Sequence, residues 1–539
     1  MGEGLATGQR GVIDSAHRDL LLREKTTMPP LDVDVWLVGL LQSPTPKNLT
    51  QVCETFFSRG QGRDAARLAL EVVSGHPDDA ALALAAAALI SKHTARHDVV
   101  ATLLQRVLRL EPNHILARLS LADALVAGGD VAGGCAVFSE MMVRYPAKRT
   151  DLCEHISVSF LEAGYPLEAL QVLSFWLKEG EPNAALANNM GCTLQRLGRS
   201  AEAIPWYKKA LMLAPENPAI AFGYALALLK AGNFREGWAR YVERVPMTNG
   251  EMWFLSLPRL RLGDDVAGKN IIVYQEQGLG DTLQFVRFVP YLVKRGAKVT
   301  IAVPASLARL LALSFPDMSI ISILSDFGAR GSFSYAVPIP DLPFVAGVMS
   351  ECDVSVPIPY LRADPGGIAK FAAALPAGRP RIGLVWAGDR RVKAENVATD
   401  KRRSMTLAEM AQALSPVSAT LVSLQFGPPR EEIAAWEGQK LCDPMDSVRD
   451  MADTAAIMEN LDLVISVDTS PLHLAGALGR PVWLISRRDA CWRWGDEGAT
   501  SAWYPTMRLF RAREKSFASV LREVGAALHD WVAAWNAGC

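Results

Sequence analysis

The feature that most constrains the fold of this chain is a repeat of about 34 residues in its first half. Prolines at positions 77, 112, 146, 182 and 215 are separated by 35, 34, 36 and 33 residues. Spacing this regular is typical of a solenoid, in which each repeat is one supersecondary unit that buries its apolar face against its neighbours. The sequence therefore predicts a helical repeat region over 46–250, with about six repeats, after an N-terminal extension over 1–45.

The clearest repeat spans 184–217 and follows the tetratricopeptide (TPR) pattern of small and large residues. The positions that fit this pattern are Gly191, Leu194, Gly198, Ala203, Tyr207, Ala210 and Pro215. Small residues let the two helices of a repeat cross closely, and the aromatic residue fills the gap to the next repeat. A solenoid of this kind has no chemistry of its own, but its concave face can bind a protein partner.

The histidines of the repeat region are candidate metal ligands. His93 and His97 are four residues apart, a spacing that places two side chains on one face of a helix. Because no carboxylate or cysteine accompanies them in a ligand pattern, we interpret the histidines of this region as solvated surface residues. No metal site is predicted.

Composition excludes several classes of protein. The formal net charge of the 539-residue chain is −1, which gives no broad basic surface for nucleic acid or anionic membranes. Eight scattered cysteines without a CxxC pair argue against zinc sites and a disulfide scaffold. The first thirty residues lack an apolar signal core, and the apolar run at 80–90 is too short to span a bilayer. We expect a cytoplasmic protein without stable membrane insertion.

From Lys269 onward, apolar strands alternate with amphipathic helices, which predicts two α/β layers. We expect Rossmann-like domains over 265–365 and 380–515, a Pro/Gly/Ala-rich hinge at 362–380, and a C-terminal helix within 516–539. A single helix is predicted over 282–294. The predicted strands are 271–274, 299–303, 320–323, 335–337, 382–386, 420–424, 463–467 and 482–485.

The segment 463–486 combines a strand, a capped helix and a second strand in 24 residues. The apolar run 463–467 ends at Asp468-Thr469-Ser470, three residues that favour helix N-caps, followed by Pro471. Ligands bind at the carboxyl ends of parallel strands, and the N–H groups of Thr469, Ser470 and Leu472 would suit a phosphate. The alternative is an ordinary α/β layer with a good cap. Neither GxGxxG nor GxxxxGK[ST] occurs, so NAD and ATP sites are not indicated.

Several short motifs, in their order, give the second half a specific resemblance. These are QEQGLGDTLQFVRFVPYL, GLVWAG, KRRSMTL, SLQ, DTAAIMENLDLVISVDTSPLHLAGALGRPVWLI and WRW…SAWYPTMRLFR. Together with the repeats, the chain resembles bacterial TPR glycosyltransferases, which are related to the lipopolysaccharide heptosyltransferases of glycosyltransferase family 9 and similar in architecture to protein O-GlcNAc transferases. The resemblance implies a GT-B fold and a metal-independent, inverting transfer from a nucleotide sugar, with no cofactor.

The resemblance also assigns roles to residues of the predicted cleft. Asp281 matches the family's catalytic base, although it could simply cap its helix, and Gly278 and Gly280 of the same turn are expected to contact the donor. Lys401, a second catalytic candidate, lies with Arg402 and Arg403 in a basic loop that would neutralise the leaving group, or would only be solvated. Further donor contacts are expected from Asp468, Thr469, Ser470 and His473, although His473 could simply be a satisfied buried histidine. Trp386 and Gln425, each at a strand end, are also expected to contact the donor.

Two other aromatic motifs and one departure from the family complete the predicted site. Trp492-Arg493-Trp494 and Trp503-Tyr504 are interpreted mainly as packing. Heptosyltransferases carry a basic residue in the first loop, where this chain has Gln275-Glu276-Gln277, so the sugar and acceptor are expected to differ from heptose and lipopolysaccharide core.

We therefore expect a glycosyltransferase whose solenoid captures a protein and presents Ser/Thr to the cleft. The resemblance extends to a flagellin-modifying subgroup, which implies flagellin as acceptor and a nonulosonic acid such as pseudaminic acid as the sugar. Two alternatives remain open: a transferase acting on lipopolysaccharide or another glycan, and a TPR scaffold with an inactive transferase region.

Overall fold

A computed structural model describes residues 40, 44–178, 180–246, 253–322, 332–354, 357–388 and 402–538. Its chain divides into two compact units, 1–181 and 182–539. The division lies inside the segment predicted as the solenoid, so the last repeats share a unit with the α/β sheets.

The first unit consists of helices packed in consecutive pairs around an apolar core. Polar residues cap several of them: Asp79 Oδ1 accepts a hydrogen bond from Leu82 N at 2.8 Å, and Asp130 Oδ1 accepts one from Gly133 N at 2.9 Å. The helices are α1 Pro46–Ser58, α2 Gly62–Gly75, α3 Ala80–His93, α4 His97–Leu110, α5 Ile115–Gly128, α6 Val131–Arg144, α7 Arg149–Ala163 and α8 Pro166–Trp176.

Two histidines of this unit are paired with carboxylates, which corrects their interpretation as solvated residues. His93 Nε2 lies 2.9 Å from Glu54 Oε2, and the ring stacks on Phe57 with 4.0 Å between centroids. His155 Nε2 lies 2.8 Å from Asp123 Oδ2. In the part of the chain that is described, no three His, Cys, Asp or Glu side chains cluster as metal ligands.

The second unit begins with four more repeat helices: α9 Ala184–Arg196, α10 Ser200–Leu213, α11 Pro218–Lys230 and α12 Phe234–Tyr241. Tyr207 of α10 is buried against two glycines, and a Cβ at either Gly191 or Gly223 would lie 2.9 Å from its ring. Only glycine allows this approach without displacing the ring. The structure thus gives the large aromatic residue the gap-filling role that its position in the repeat predicts.

Two parallel sheets follow. The strands of the first sheet are β1 Asn270–Tyr274, β2 Lys298–Val303, β3 Ser319–Ser322 and β4 Tyr335–Pro338. Those of the second are β5 Arg381–Val385, β6 Thr420–Ser423, β7 Leu441–Cys442, β8 Leu463–Val467, β9 Val482–Ser486 and β10 Met507–Arg511. The strand order is β3-β2-β1-β4 in the first sheet and β10-β9-β8-β5-β6-β7 in the second.

One face of the first sheet packs against Trp253 and Phe254 of a 3₁₀ turn. Helices supply most of the remaining cover of the two sheets, as buried parallel strands require. They are α13 Leu279–Phe285, α14 Val289–Lys294, α15 Ala305–Ser314, α16 Leu342–Val345, α17 Pro365–Ala374, α18 Leu407–Leu414, α19 Met451–Met458, α20 Ser470–Ala477 and α21 Ala518–Gly538. The predicted fold class, a helical TPR region followed by an α/β module with two parallel sheets, is confirmed.

The structure differs from the sequence prediction at four elements. The helix predicted over 282–294 is divided into α13 and α14 by a 3₁₀ turn at Val286–Phe288. The segment predicted as a hinge contains α17, capped by Asp364, whose Oδ2 accepts a hydrogen bond from Gly367 N at 2.8 Å. Strands β7 and β10 were missed because β7 has two residues and polar side chains interrupt β10. Among the described helices, none combines the length and apolar character needed to cross a bilayer.

Candidate functional site

The first site element is the loop that joins β1 to α13. The helix begins after Gly278, and Asp281 Oδ2 accepts a hydrogen bond from the Gly278 N–H at 2.9 Å. The carboxylate therefore satisfies one of the free N–H groups at the start of the helix. Asp281 does cap its helix, as the alternative interpretation expects, and its role as a base remains a prediction.

The second site element is the turn from β8 into α20. Thr469 occupies the N-cap position, but its hydroxyl donates to Val467 O at 3.3 Å and makes no cap bond. Leu472 N–H donates to Thr469 O at 3.1 Å, and Pro471 has no N–H. Among the described residues, the Thr469 and Ser470 N–H groups therefore remain as candidate donors for an anion.

Helices α13 and α20 meet at Gly280 and His473, so the two site elements come together. A Cβ at Gly280 would lie 2.7 Å from His473 Cδ2. His473 is 5% exposed, and its ring stacks on Trp494 with centroids 5.5 Å apart. Because residue 280 has no side chain, the two helices can approach closely. Asp281 and His473, whose helices follow strands of different sheets, are therefore neighbours.

Arg493 connects the two elements through its charge. Its guanidinium forms an ion pair with Asp281, and its Nε donates to Gln284 Oε1 at 2.7 Å. It also lies over the rings of Phe285 and Trp492. Burial alone would lower the pKa of Arg493, but the Asp281 carboxylate and smaller contributions from Cys491 and Tyr241 together outweigh burial, and the pKa is raised. The arginine therefore stays charged and neutralises the candidate base.

His473 is held by an aromatic partner and is uncharged at neutral pH. Its Nδ1 lies 3.0 Å from the Tyr504 hydroxyl, while Nε2 lies 3.9 Å from Asp468 Oδ1. Burial, followed by the charges of Arg493 and Arg287, lowers its pKa to about 3. Asp468 and His473, predicted as donor contacts, therefore face each other across a gap longer than a hydrogen bond.

The basic loop is described only in part, because Lys401 lies outside the described residues. Arg402 Nε donates to Asp489 Oδ2 at 3.1 Å, and burial lowers the pKa of Arg402. The Arg403 guanidinium lies against the end of β5, where a Cβ at Gly388 would be 2.5 Å from Arg403 Nη2. Arg402 thus lies close to the segment that follows β9, and Arg403 lies close to the segment that follows β5.

The structure does not support donor contacts from the side chains of Trp386 and Gln425. Trp386 has no exposed surface and packs in the core beneath the second sheet. Gln425 Oε1 accepts from Trp386 N at 3.1 Å and Ala387 N at 3.0 Å, while Nε2 donates to Ala387 O at 2.9 Å. The hydrogen bonds of its amide group thus link the carboxyl ends of β5 and β6.

Glu276, in the loop where the sequence departs from the heptosyltransferases that it resembles, is part of a buried ionic network. Its carboxylate pairs with Arg244, which follows α12, and Arg244 Nη1 donates to Asp341 Oδ1 at 2.7 Å. Arg259 Nε donates to Asp341 Oδ2 at 2.7 Å. Since Glu276 and Asp341 are almost completely buried, these charges anchor the loop that leads to Asp281.

A cavity of about 1240 Å³ lies elsewhere in the second unit, between β9, β10, α21 and the turn after α9. None of the predicted site residues lines it. Its walls carry five arginines: Arg487, Arg488, Arg508, Arg511 and Arg513.

The site also contains residues that the sequence interpretation did not assign to it. The sequence indicates a packing role for Trp492-Arg493-Trp494, and the two tryptophans are indeed buried. It likewise indicates packing for Tyr504 and gives no role to Tyr360. The available signal for Arg493 was a charged residue between two tryptophans, but its partner Asp281 is 212 positions away in sequence.

Comparison with known proteins gives one family match and several similar proteins. Residues 184–217 match the tetratricopeptide repeat model. Protein FlbA of Caulobacter vibrioides is 24% identical over 465 residues, which are 73% of this chain and 76% of that protein.

Among solved structures, ADP-heptose lipopolysaccharide heptosyltransferase II of E. coli is 15% identical, with a TM-score of 0.33. The match covers 49% of this chain and 99% of that one. A family 9 glycosyl transferase of Veillonella parvula is 12% identical with a TM-score of 0.33, and the match covers 49% of this chain and 90% of that one. The tetratricopeptide repeat predicted over 184–217 is confirmed by the family model, and family 9 glycosyltransferases are among the solved structures to which the chain is similar.

Proposed function

We propose that this protein is a glycosyltransferase that moves a sugar from a nucleotide sugar to a Ser or Thr hydroxyl of a protein held by the repeats. The proposed acceptor is flagellin, and the proposed sugar is a nonulosonic acid such as pseudaminic acid. The nucleotide sugar is a substrate, and the proposed reaction needs no metal or other cofactor. This combination is supported by the family resemblance in the sequence.

The observation that carries the proposal is the meeting of Asp281 and His473 at the contact between α13 and α20. One element follows a strand of the first sheet and the other follows a strand of the second. Ligands in parallel α/β sheets bind at these carboxyl ends. A carboxylate and a turn with two candidate N–H donors for an anion then lie together, which supports a transfer from a nucleotide sugar.

In the proposed reaction, Asp281 accepts the proton of the acceptor hydroxyl. A carboxylate offers about four lone-pair sites. Asp281 can therefore accept a third hydrogen bond, from the acceptor hydroxyl, while it keeps its bonds to the Gly278 N–H and to Arg493. The acceptor oxygen attacks the anomeric carbon as the bond to the nucleotide breaks on the opposite face, which inverts the configuration. The proton remains on Asp281 until it passes to solvent.

The departing nucleotide carries the electron pair of the broken bond. We assign the stabilisation of this charge to the Thr469 and Ser470 N–H groups and to the basic loop of Lys401, Arg402 and Arg403. Fixed N–H groups and cations directed at developing charge are usually the largest contribution to such catalysis.

Intact mass spectrometry of flagellin from cells with and without the gene tests the proposed function. We expect deletion to remove mass increments of the size of one sugar, and the increment identifies the sugar class. An unchanged flagellin mass with altered lipopolysaccharide would instead support a glycan acceptor. If neither changes, the scaffold interpretation is favoured.

An Asp468→Ala variant separates transfer from acceptor capture. We expect it to lose transfer while flagellin still copurifies with the protein, because Asp468 lies at the cleft and not in the repeats. Glu71→Gln, an exposed substitution on α2, is the matched control and should retain both properties. Loss of both properties in a folded Asp468→Ala protein would contradict the division of roles.

A further inference from the structure

The large cavity between β9, β10 and α21 is lined by an excess of positive charge. Its volume of about 1240 Å³ exceeds the roughly 300–1,000 Å³ of most ligand pockets. Its lining contains six basic side chains and four acidic ones, so the formal charge is +2 before any ligand binds. The basic residues are Lys230, Arg487, Arg488, Arg508, Arg511 and Arg513.

Three of these basic residues have partners within the protein. Lys230 Nζ lies 3.2 Å from Asp496 Oδ1. Arg487 Nε lies 3.3 Å from Asp489 Oδ1. Arg511 donates hydrogen bonds to several main-chain carbonyl oxygens of the loop that precedes β10. These contacts fix parts of the cavity wall in place.

Among the described residues, the other three arginines, Arg488, Arg508 and Arg513, form no ion pair. Arg508 lies over two aromatic rings, with its Cζ 4.4 Å from the Phe510 centroid and 5.5 Å from the Trp483 centroid. Arg488 and Arg513 have no ring contact of this kind within the described part of the chain. Their two charges therefore remain uncompensated at the cavity.

Arg488 and Arg513 follow the ends of adjacent strands. Ser486, the last residue of β9, pairs with Arg511, the last residue of β10. The Ala512 N–H also donates to Ser486 O at 2.8 Å, so the two chains are still side by side just before the unpaired arginines. Like charges at neighbouring positions of adjacent strands are destabilising, and an anion bound between them would remove this cost. The carboxyl ends of parallel strands are also where ligands bind.

We propose that this cavity is a second ligand site, which binds the phosphate group of a phosphate ester through Arg488 and Arg513. Arginine presents its N–H groups in a planar fork that matches the oxygens of a phosphate. A phosphate ester carries about two negative charges at neutral pH, equal to the excess positive charge of the lining. Glu523 and Asp530 of α21 would repel it, so the phosphate is placed at the strand ends. The half-buried Trp531 ring offers apolar surface to the organic part of the ester.

This site is separate from the one proposed for the nucleotide sugar, and the inference does not rest on the proposed function. The phosphate of the nucleotide sugar is assigned to the turn at Thr469 and Ser470, and none of the predicted donor contacts lines the cavity. A protein without transferase activity could therefore bind a phosphate ester here, and an active enzyme could lack the site.

Modification of arginine by phenylglyoxal, located by peptide mass mapping of the full chain, tests the site residue by residue. We expect inorganic phosphate to slow the modification of Arg488 and Arg513 about tenfold once the site is about 90% occupied. Arg522, an exposed residue of α21 outside the cavity lining, is the reference and should react at an unchanged rate.

Two outcomes of this experiment would overturn the proposal. If millimolar phosphate gives Arg488 and Arg513 no protection, their charges serve only to keep the edge strand β10 from pairing with other chains. Malonate, a dicarboxylate of similar charge, is the comparison for ligand class, and equal protection by malonate would contradict the assignment to phosphate.

An Arg488→Gln variant tests whether the two arginines share one anion. We expect the phosphate concentration that half-protects Arg513 to rise about tenfold, because the anion loses one of its two guanidinium partners. Arg522→Gln is the matched control and should leave this concentration unchanged. Unchanged protection of Arg513 in folded Arg488→Gln would overturn the shared site, and the wild-type experiment decides the proposal even if that variant does not fold.

Discussion

At the scale of single residues, the candidate base is a carboxylate that already has two partners. Asp281 accepts the Gly278 N–H and forms an ion pair with Arg493. These contacts orient both oxygens and keep the side chain from turning away from the cleft. Orientation of this kind matters because a displacement of about 1 Å at a reacting group can reduce the rate roughly 100-fold.

Gly280→Ala tests the contact between the two helices. Alanine suits a helix interior better than glycine, so any loss reports the clash with His473 and not a loss of helix propensity. Overpacking costs about 1–3 kcal/mol, and we expect a drop of at least tenfold in the transfer rate. Gly75→Ala is the control, since a Cβ there meets no atom within 4 Å. Wild-type rate and thermal stability in Gly280→Ala would contradict the close contact.

The His155–Asp123 pair predicts a pH dependence for the stability of the first unit. Burial alone would lower the pKa of His155, but the hydrogen bond and charge of Asp123 outweigh burial and raise it. The charged pair therefore contributes fully below the unfolded-state pKa of about 6.5, and its contribution is lost as pH rises through the higher folded-state pKa.

Thermal unfolding of Asp123→Asn measures this contribution. After solvent screening we expect a loss of about 1 kcal/mol below roughly pH 6.5, shrinking as the pH rises. The exposed Glu71→Gln substitution should show no such trend. A stability difference that grows with pH would contradict the assigned direction.

At the scale of elements, α12 supports the loop that leads to Asp281. Trp238 is fully buried, with ring centroids 5.9 Å from Phe285 and 5.4 Å from Trp492. Tyr241 follows on the same helix, and its hydroxyl accepts a hydrogen bond from Gln277 Nε2 at 2.8 Å. The last repeat helix thus contacts both the loop that leads to Asp281 and the helix that carries Asp281.

Trp238→Ala is expected to destabilise the second unit by about 3–5 kcal/mol, because it removes a large buried side chain. We also expect a lower transfer rate, since the Asp281 loop loses its support. Trp535→Ala, at a partly exposed position near the end of α21, is the control. Thermal unfolding and a transfer assay measure both effects, and equal losses in the two variants would contradict the supporting role.

The sequence predicts the positions of helices and strands better than it predicts contacts between side chains. Strand β8 and helix α20 could be located because an apolar run, a polar cap and a proline follow one another within a few residues. Trp386 was placed at a strand end correctly, but its position did not reveal that the side chain points into the core. Arg493 could not be paired with Asp281 because their contact depends on how two separate sheets pack. The donor contacts of the basic loop stay predictions.

At the scale of the whole molecule, the compact units cut across the predicted boundary between repeats and transferase. Ser200 N donates to Asp496 Oδ2 at 2.8 Å, and Phe234 lies 6.4 Å from Trp503 between ring centroids. The repeat helices after residue 181 are therefore packed against the segment 492–504, which carries Arg493 and Tyr504 of the candidate site.

Two fragments test this division. We expect residues 182–539 to be monomeric and to unfold cooperatively. Residues 253–539 should aggregate, because removal of α9–α12 exposes Phe285, Trp492 and Trp503 as an apolar surface. Size-exclusion chromatography distinguishes these results. A stable monomer of 253–539 would contradict the structural role assigned to the last repeats.

The measurement that tests the central claim most directly is the intact mass of flagellin in gene-deleted cells complemented with Asp281→Asn. Asparagine can still cap the helix but is a far weaker proton acceptor, so the proposal predicts flagellin without the sugar increments. Complementation with Asp364→Asn, which alters the capping aspartate of α17, should restore the wild-type mass. Full restoration by Asp281→Asn, at wild-type protein levels, would contradict the proposed role of Asp281 as the catalytic base.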